Sequence, residues 1–181
     1  MKTKLILLTF ILIALFLSGC ARLGGATDET VACPQPAPET ELLKNEQLGY
    51  CLLYPDNYTV ESHDNGDTLV IDSVMNHVDP RFDIAVEDAG GRTAADAAGE
   101  MSAGLPPDMV TRSTLTLDGE EAVVLDNYPG QEISRFVFVV HGDRLYRLMF
   151  THTAPELGET YTQAQNLYTV VTNSFRFLTA Q

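Results

Sequence analysis

The sequence predicts an α+β domain in which a central antiparallel sheet is flanked by helices. Three observations predict this class. Strand-like runs separated by turn-forming residues occupy most of the chain after residue 48. Two helical patterns stand far apart, one before and one after a group of four strands. Residues 136–140 (FVFVV) are apolar at every position, which is typical of a central strand covered on both faces.

The first strands are predicted before the first helix. Pro, Asn, Asp and Gly form turn clusters at 55–57 and 64–67, and extended patterns lie on either side of them. In the last of these segments Phe82, Ile84 and Val86 alternate with polar residues, which indicates a half-buried strand. The extended segments predicted here are 49–54, 58–60, 68–71 and 81–86.

Two helices are predicted, at 93–105 and 159–175. In the first, Thr93 can serve as the N-cap of the helix, with Asp96 three residues later, and Pro106 follows the end of the pattern. In the second, aromatic and aliphatic residues recur at spacings of three and four. Between the helices lies a predicted meander of strands at 109–117, 122–125, 133–140 and 145–150. Asp118-Gly119 joins its first two strands with a strong hairpin signal, and a last short strand is expected at 177–178.

The composition excludes some classes of partner. The chain has a formal net charge of −14, and its acidic residues are scattered rather than grouped in runs. Nucleic acid is not expected as a partner, because phosphate binding needs a basic patch that the sequence lacks. Binding of the folded domain to an anionic lipid surface is disfavoured for the same reason.

The N-terminus has the pattern of a secretory signal. Lys2 and Lys4 precede an apolar run at 5–17, which is well short of the roughly 20 residues that span a bilayer. Small residues then lead to Cys20, in the order Leu-Ser-Gly-Cys. The alternatives are an uncleaved anchor helix, or an ordinary signal peptide followed by a chance cysteine.

The segment 17–20 resembles the lipobox of diacylated bacterial lipoproteins. The resemblance implies cleavage before Cys20 and a diacylglyceryl thioether on it, and two acyl chains suffice for stable anchoring. The expected organisation is a signal peptide at 1–19, a lipidated cysteine with a Pro-rich tether at 20–47, and a globular domain at 48–181. The protein would then face the extracytoplasmic side of the cell membrane or the outer membrane.

Two cysteines remain beside the lipidated one. Cys33 and Cys51 form an even pair in a secreted context, where disulfides persist. A bridge would close a loop of about 18 residues and contribute roughly 3 kcal/mol to stability in the chain-entropy model. The alternative is two unpaired thiols.

A second resemblance concerns the globular part. The run 49–55 (GYCLLYP) followed by 58–60 (YTV) resembles the opening of PsbP-like domains. Residues 135–150 and 173–177 resemble the hairpin and the final helix-to-strand passage of the same fold. The resemblance covers 48–178 and implies an α/β/α sandwich in a family that is mainly non-catalytic. Its members include photosystem accessory subunits, envelope lipoproteins and protein-binding adaptors. No functional residues carry over, because the matching positions look like core.

Sites for metal and catalysis are not expected. His63, Asp64 and Asp67 cluster near His77 and Asp79, but the composition of this stretch is also that of an ordinary hairpin turn. The sequence carries no recognised nucleophile, zinc or phosphate-binding motif. We therefore expect no enzyme activity, no metal and no other cofactor.

Tyr128 is the residue expected to bind a partner. It lies in the turn 127–130 (NYPG), where its ring should be exposed at a hairpin tip. The sequence thus favours a lipid-anchored, non-catalytic domain that binds a ligand or a protein of the cell envelope. The alternatives are a metal- or solute-binding lipoprotein serving a transporter, and an enzyme whose site is hidden in the linear sequence.

Overall fold

The computed structural model describes residues 32–71 and 79–178. Over these ranges the chain forms ten strands, two α-helices and one short 3₁₀ helix at Pro155–Leu157. The elements in chain order are β1 (Thr40–Asn45), β2 (Tyr50–Pro55), β3 (Tyr58–His63), β4 (Gly66–Ile71), β5 (Phe82–Asp88), α1 (Ala94–Ser102), β6 (Thr111–Leu117), β7 (Glu120–Tyr128), β8 (Ser134–His141), β9 (Arg144–Phe150), α2 (Glu159–Ser174) and β10 (Arg176–Phe177).

The strands form two antiparallel sheets. The main sheet has seven strands in the order β3-β4-β5-β9-β8-β7-β6. The small sheet has three strands in the order β1-β2-β10. Every neighbouring pair in both sheets is antiparallel, as predicted from the sequence.

The main sheet is buried on both faces. One face packs against the small sheet and α2, with Tyr50, Leu148 and Phe175 fully buried in this larger core. The other face packs under α1 across β7 and β8, where Ala97 and Ala98 meet Phe138. Strand β8 alternates between the two cores, which confirms the central position predicted from its apolar run.

The fold class is confirmed at the level of an antiparallel α+β protein, but the helix-flanked sandwich needs correction. The structure is rich in sheet, and α1 is only nine residues long. It lies mainly over β7 and β8. On the other face of the main sheet, α2 packs against β2. The layer that covers this face therefore consists of the small sheet together with α2, and not of helices alone.

Local signals in the sequence set several element boundaries correctly. Thr93 caps α1 in a full capping box with Asp96. Asp118 and Gly119 both adopt positive φ (48° and 89°), as a two-residue hairpin of type I′ requires. Helix α1 ends at Ser102, three residues earlier than predicted, because Ala103 turns to an extended ψ of 129°.

Strand β1 corrects the predicted boundary of the domain. The tether was expected to extend to residue 47, yet Thr40–Asn45 pairs with β2 along its whole length. Leu43 is the buried residue of this strand and joins the larger core. The strand TELLKN escapes prediction because it lies at an edge, buries a single side chain and therefore shows no apolar alternation.

A disulfide bond joins Cys33 to Cys51, with 5.8 Å between their Cα atoms. The bridge links the segment before β1 to β2, which confirms the pairing expected for these two residues. Cys20 and the signal segment lie outside the described residues. Within the described ranges no helix is both long and apolar enough to cross a membrane.

Candidate functional site

Tyr128 is not the exposed tip residue that the sequence predicted. It is the last residue of β7 and is half-buried, with its ring edge-on to Phe136 at 5.0 Å between ring centroids. Its hydroxyl donates a hydrogen bond to the carbonyl of Met101 in α1 (3.0 Å). The pairing of β7 with β8 shifts register between Leu125 and Tyr128, and Asn127 has φ +59°. This bulge aims the Tyr128 ring at α1 instead of at solvent.

The loop at 129–133, between β7 and β8, has a hollow on each side. The Tyr128 groove encloses about 230 Å³ and has Tyr128, Phe136 and Met149 on its apolar side. The His152 cavity encloses about 360 Å³ and is lined by Gln131, Glu132, Ile133, His152, Ala154, Glu156, Leu157 and Thr160. Gln131 and Glu132 line both hollows, so one loop borders two adjoining sites.

Buried polar residues are concentrated beside these hollows. Ser134, Thr151, His152 and Thr153 are each less than 10% exposed. Four of the seven buried polar residues in the described part of the chain thus lie in this region. Because a buried polar group is costly unless it is paired, such a concentration needs a dense local network of hydrogen bonds.

That network fixes the segment 151–153 to two other parts of the chain. Thr151 N–H donates to the carbonyl of Arg81 (3.0 Å), and the Arg81 N–H donates to Thr151 Oγ1 (2.9 Å). Thr153 N–H donates to the carbonyl of Ile133 (3.1 Å). The chain leaving β9 is therefore held between the start of β5 and the loop at 129–133.

His152 has the most unusual backbone in this region. Its φ is +60°, in the left-handed region that non-glycine residues seldom adopt. Its Nδ1 lies 2.9 Å from Thr151 Oγ1. Residues held in this conformation cost about 1–3 kcal/mol and cluster at ligand and active sites. The surrounding hydrogen bonds hold His152 there, and its side chain contributes to the wall of the cavity.

The two hollows differ in their charged groups. Among the described residues that line it, the His152 cavity has two carboxylates, Glu132 and Glu156, and neither Lys nor Arg. The Tyr128 groove has Arg81 beside Glu132, and the Arg81 guanidinium also forms an ion pair with Asp83 (2.7 Å). The lining of the cavity thus combines charged and polar groups with an apolar side formed by Ile133, Ala154 and Leu157.

The residues considered for a metal site do not converge. His63 and Asp64 are exposed at the turn between β3 and β4, whereas Asp67 is 1% exposed and hydrogen-bonded to Tyr50 and Asn45 in the core. His77 lies outside the described residues. Among those residues no group of three or more His, Cys, Asp and Glu side chains is placed to hold a metal ion.

The His152 cavity was not predicted from the sequence. His152 stands in a polar stretch (THT) that carries no motif, and no local pattern shows that it will be buried. Its partners in the cavity come from the loop at 131–133 and from the turn at Pro155–Leu157. A histidine directly after a predicted strand is the one signal in the sequence, and it becomes informative only with the burial and the backbone angle that the structure gives.

Comparisons with known proteins bear on the fold alone. No family model matches the chain, and no curated protein matches it at a significant level. Among solved structures, it is similar to the solution structure of cyanobacterial PsbP (CyanoP) from Synechocystis sp. PCC 6803. The TM-score is 0.51 at 12% identity, over 81% of this chain and 97% of that one. The fold is PsbP-like.

A second similar structure is a crystal structure from Bacteroides thetaiotaomicron VPI-5482. Its TM-score is 0.50 at 10% identity, and the match covers 77% of this chain and 48% of that one. At these identities the PsbP-like likeness agrees with the fold expected from 48–178 and assigns no residue a role.

Proposed function

We propose that this protein is a membrane-anchored, extracytoplasmic lipoprotein whose PsbP-like domain binds a ligand or a protein partner without catalysis. The observation that carries the binding role is the His152 cavity, an open hollow of about 360 Å³ whose lining includes the buried His152. Ligand sites are concave, largely apolar and equipped with a few fixed polar groups, and their volumes begin at about 300 Å³. Tyr128 contributes to the adjoining groove, so it keeps its proposed part in binding as a wall residue.

The anchoring part of the proposal rests on the lipobox ending at Cys20. We assign 1–19 to a signal peptide and place the tether between the lipidated cysteine and β1, which begins at Thr40. The Cys33–Cys51 disulfide supports an oxidising compartment, since such bonds persist outside the cytosol. The cavity and the groove would then be accessible to binding partners in the cell envelope, at either the cell membrane or the outer membrane.

A non-catalytic role agrees with the hydrogen bonding of the segment 151–153. Thr151 Oγ1 accepts from the backbone of Arg81, so the hydroxyl nearest to the histidine helps to hold the loop in place. Thr151 is also 3% exposed, which keeps substrate away from that oxygen. No observation among the described residues favours the alternatives of a metal-binding lipoprotein or an enzyme.

Anchoring is tested by replacing the lipidated residue. In cells supplied with labelled palmitate, the wild-type protein should carry label and remain with the membrane fraction. Cys20→Ala should lose the label, and the protein should be released or kept as an uncleaved precursor. Unchanged labelling of the variant would refute the lipoprotein assignment.

Binding is tested by photo-crosslinking in intact cells. A benzoylphenylalanine at Gln131, an exposed residue that lines both hollows, should give a discrete adduct in full-length protein. The same group at Gln163, which is also exposed and lies on α2, serves as the matched control and should give no adduct. If the two positions crosslink alike, or if Gln131 gives no adduct, the loop at 129–133 is not a binding site.

A further inference from the structure

A hollow beside Arg147, on the face of the main sheet that α1 partly covers, has the features of a further binding site. We propose that this hollow, the Arg147 hollow, binds one carboxylate group carried on a small apolar body. It shares no described lining residue with the His152 cavity or the Tyr128 groove, so the inference goes beyond the proposed function and does not depend on it. Two observations carry it, namely a guanidinium without a partner and the apolar floor beside that guanidinium.

Arg147 lies at the centre of the main sheet. It is the fourth residue of β9, and β9 is the fourth of the seven strands. Its neighbours across the sheet are Ala85 on β5 and Phe138 on β8. Tyr146 and Leu148 point into the larger core, so the Arg147 side chain lies on the opposite face. Helix α1 covers that face mainly over β7 and β8, and the Arg147 side chain is exposed beside the helix.

Arg147 forms no ion pair and no hydrogen bond within residues 32–71 and 79–178. A shortage of carboxylates does not explain this, because the chain has a formal net charge of −14. Every other basic residue in these ranges donates a hydrogen bond to a carboxylate or to a backbone carbonyl: Lys44, Arg81, Arg92, Arg112, Arg135, Arg144 and Arg176. The Arg147 guanidinium therefore has all its donors available for a ligand.

The carboxylate of Asp83 is near Arg147 in the register but is engaged elsewhere. Asp83 lies two residues from Ala85, the partner of Arg147, and on the same face of the sheet. It forms an ion pair with the Arg81 guanidinium (2.7 Å) and accepts a hydrogen bond from the Thr68 hydroxyl (2.8 Å). These contacts hold the Asp83 carboxylate away from Arg147.

The two carboxylates that line the hollow are held by Arg92. Glu87 of β5 pairs with Arg92 at 2.9 Å, and Glu100 of α1 pairs with the same guanidinium at 3.4 Å. Neither forms an ion pair with Arg147. The hollow is thus divided, with both negative charges gathered around Arg92 and one unpaired positive charge on Arg147.

The floor between these groups is apolar. Phe138 and Leu145 are each 2% exposed, and Ala97 is 5% exposed. Met101 follows Ala97 by one helical turn and adds to the wall that α1 provides. The hollow encloses about 280 Å³, close to the lower end of the volumes found for small-molecule sites. It therefore has room for a body of about the size of one aromatic side chain.

These features favour a carboxylate over other anions. A guanidinium binds a carboxylate through two parallel hydrogen bonds, and such charge-assisted bonds are about twice as strong as neutral ones. A phosphate dianion would be repelled twice as strongly by Glu87 and Glu100, which line the same hollow. A small inorganic anion would leave the apolar floor uncovered. A singly charged acid with an apolar body uses both the guanidinium and the floor.

The experiment titrates the full-length protein, in a nonionic detergent, with matched ligands by calorimetry. N-acetylphenylalanine should bind saturably at one site. Its amide, which has the same body without the charge, should bind at least about tenfold more weakly, because the bonds to a charged group are lost. Acetate, which has the charge without the body, should also bind at least about tenfold more weakly.

Two further ligands define the class and its source. Phenyl phosphate should bind more weakly than N-acetylphenylalanine, and equal or tighter binding would overturn the assignment to carboxylates. Acetyl-Gly-Gly-Phe with a free C-terminal carboxylate presents the same group on a peptide. Tighter binding of this peptide supports the C-terminus of a polypeptide as the source of the carboxylate, and tighter binding of N-acetylphenylalanine supports a free small acid.

Charge variants connect the binding to the hollow. Arg147→Gln should weaken binding of N-acetylphenylalanine at least about tenfold. Lys44→Gln is the matched control, since it removes an exposed positive charge from the small sheet, across the main sheet from the hollow, and it should change binding less than about twofold. Glu100→Gln, at an exposed position on α1, removes a repelling carboxylate and should leave binding as tight or make it tighter. This variant tests the sign of the charge effect even if Arg147→Gln does not fold.

Four results would overturn the proposal. Equal binding of N-acetylphenylalanine and its amide would show that the carboxylate is not recognised. An equal loss in Arg147→Gln and Lys44→Gln, or weaker binding by Glu100→Gln, would show that the hollow is not where the acid binds. Absence of binding by both N-acetylphenylalanine and the peptide would refute the site directly. Crosslinking at Gln131 tests the proposed function at other residues, so the two can fail separately.

Discussion

The hydroxyl of Tyr50 donates a hydrogen bond to Asp67 Oδ2, and this bond joins the small sheet to the main sheet. Asn45 Nδ2 donates to the same oxygen at 2.8 Å, so two donors from the small sheet meet one carboxylate on β4. Asp67 is 1% exposed, and its other oxygen has no hydrogen-bond partner in the described part of the chain. Burial and the bonded Asp67 carboxylate together raise the pKa of Tyr50 far above its usual range.

Removal of the Asp67 carboxylate should loosen the contact between the sheets. Asp67→Ala leaves the buried Tyr50 hydroxyl and the half-buried Asn45 amide without their acceptor, and a buried unsatisfied group costs about 1–3 kcal/mol. We expect the free energy of unfolding in urea to fall by at least about 2 kcal/mol. Asp64→Ala, on the exposed turn of the same hairpin, should change it by less than about 0.5 kcal/mol. Similar values for the two variants would contradict the role assigned to Asp67.

Tyr128 should contribute to the stability of the domain as well as line the groove, because its side chain contacts α1 and Phe136. Tyr128→Phe loses the bond to the Met101 carbonyl and should cost about 1 kcal/mol of unfolding free energy. Tyr128→Ala also loses the contact with Phe136 and should cost more, about 2–3 kcal/mol. Thermal melts of the two variants beside the wild type provide the measurement. An unchanged melting temperature in Tyr128→Ala would contradict the packing role and would agree with the exposed position expected from the sequence.

Reduction of the disulfide should destabilise the domain through the segment before β1. The bridge spans 18 residues, for which the chain-entropy model gives roughly 3 kcal/mol. We expect the double variant Cys33→Ser with Cys51→Ser to have a lower melting temperature than the wild type. Dithiothreitol should lower the melting temperature of the wild type but not that of the double variant. Cys33 and Cys51 should resist alkylation in the folded protein until they are reduced. Free alkylation of both thiols without reductant would show that the bridge is absent.

Alkaline pH should destabilise the protein through the buried Tyr54. Burial and the hydrogen bond to Glu41 raise the pKa of Tyr54 from 10.0 to about 12. The unfolded state loses this proton near pH 10 and the folded state near pH 12, so the unfolded state binds fewer protons between these values. Stability should therefore be unaffected by this group below pH 10 and should fall as pH rises from 10 to 12.

The measurement is urea unfolding at a series of pH values between 8 and 11.5. Tyr54→Phe removes the titrating group and should make the alkaline decline shallower. Tyr161→Phe is the matched control, since that tyrosine is only partly buried on α2. If the decline is equally steep in wild type and Tyr54→Phe, the contribution assigned to Tyr54 is wrong.

The elements that could be predicted are those whose signals lie in consecutive residues. The Thr93 cap, the Asp118-Gly119 hairpin and the apolar run in β8 each depend on residues within one turn or one strand. Strand β1 could not be predicted in this way, because its polar sequence is stabilised by pairing with β2 and by the burial of Leu43. Its position in the small sheet is determined by its hydrogen bonding to β2.

The candidate site depends on contacts over long distances in sequence. The sequence alone determined the pattern of strands from β2 onward, the two helices and the acidic composition, and it favoured the pairing of Cys33 with Cys51 over two free thiols. Only the tertiary structure decided that a bulge turns Tyr128 toward α1, and that His152 is held between Arg81 and Ile133. The physical reason is that these positions result from strand pairing across the main sheet, which brings together segments 20 to 70 residues apart.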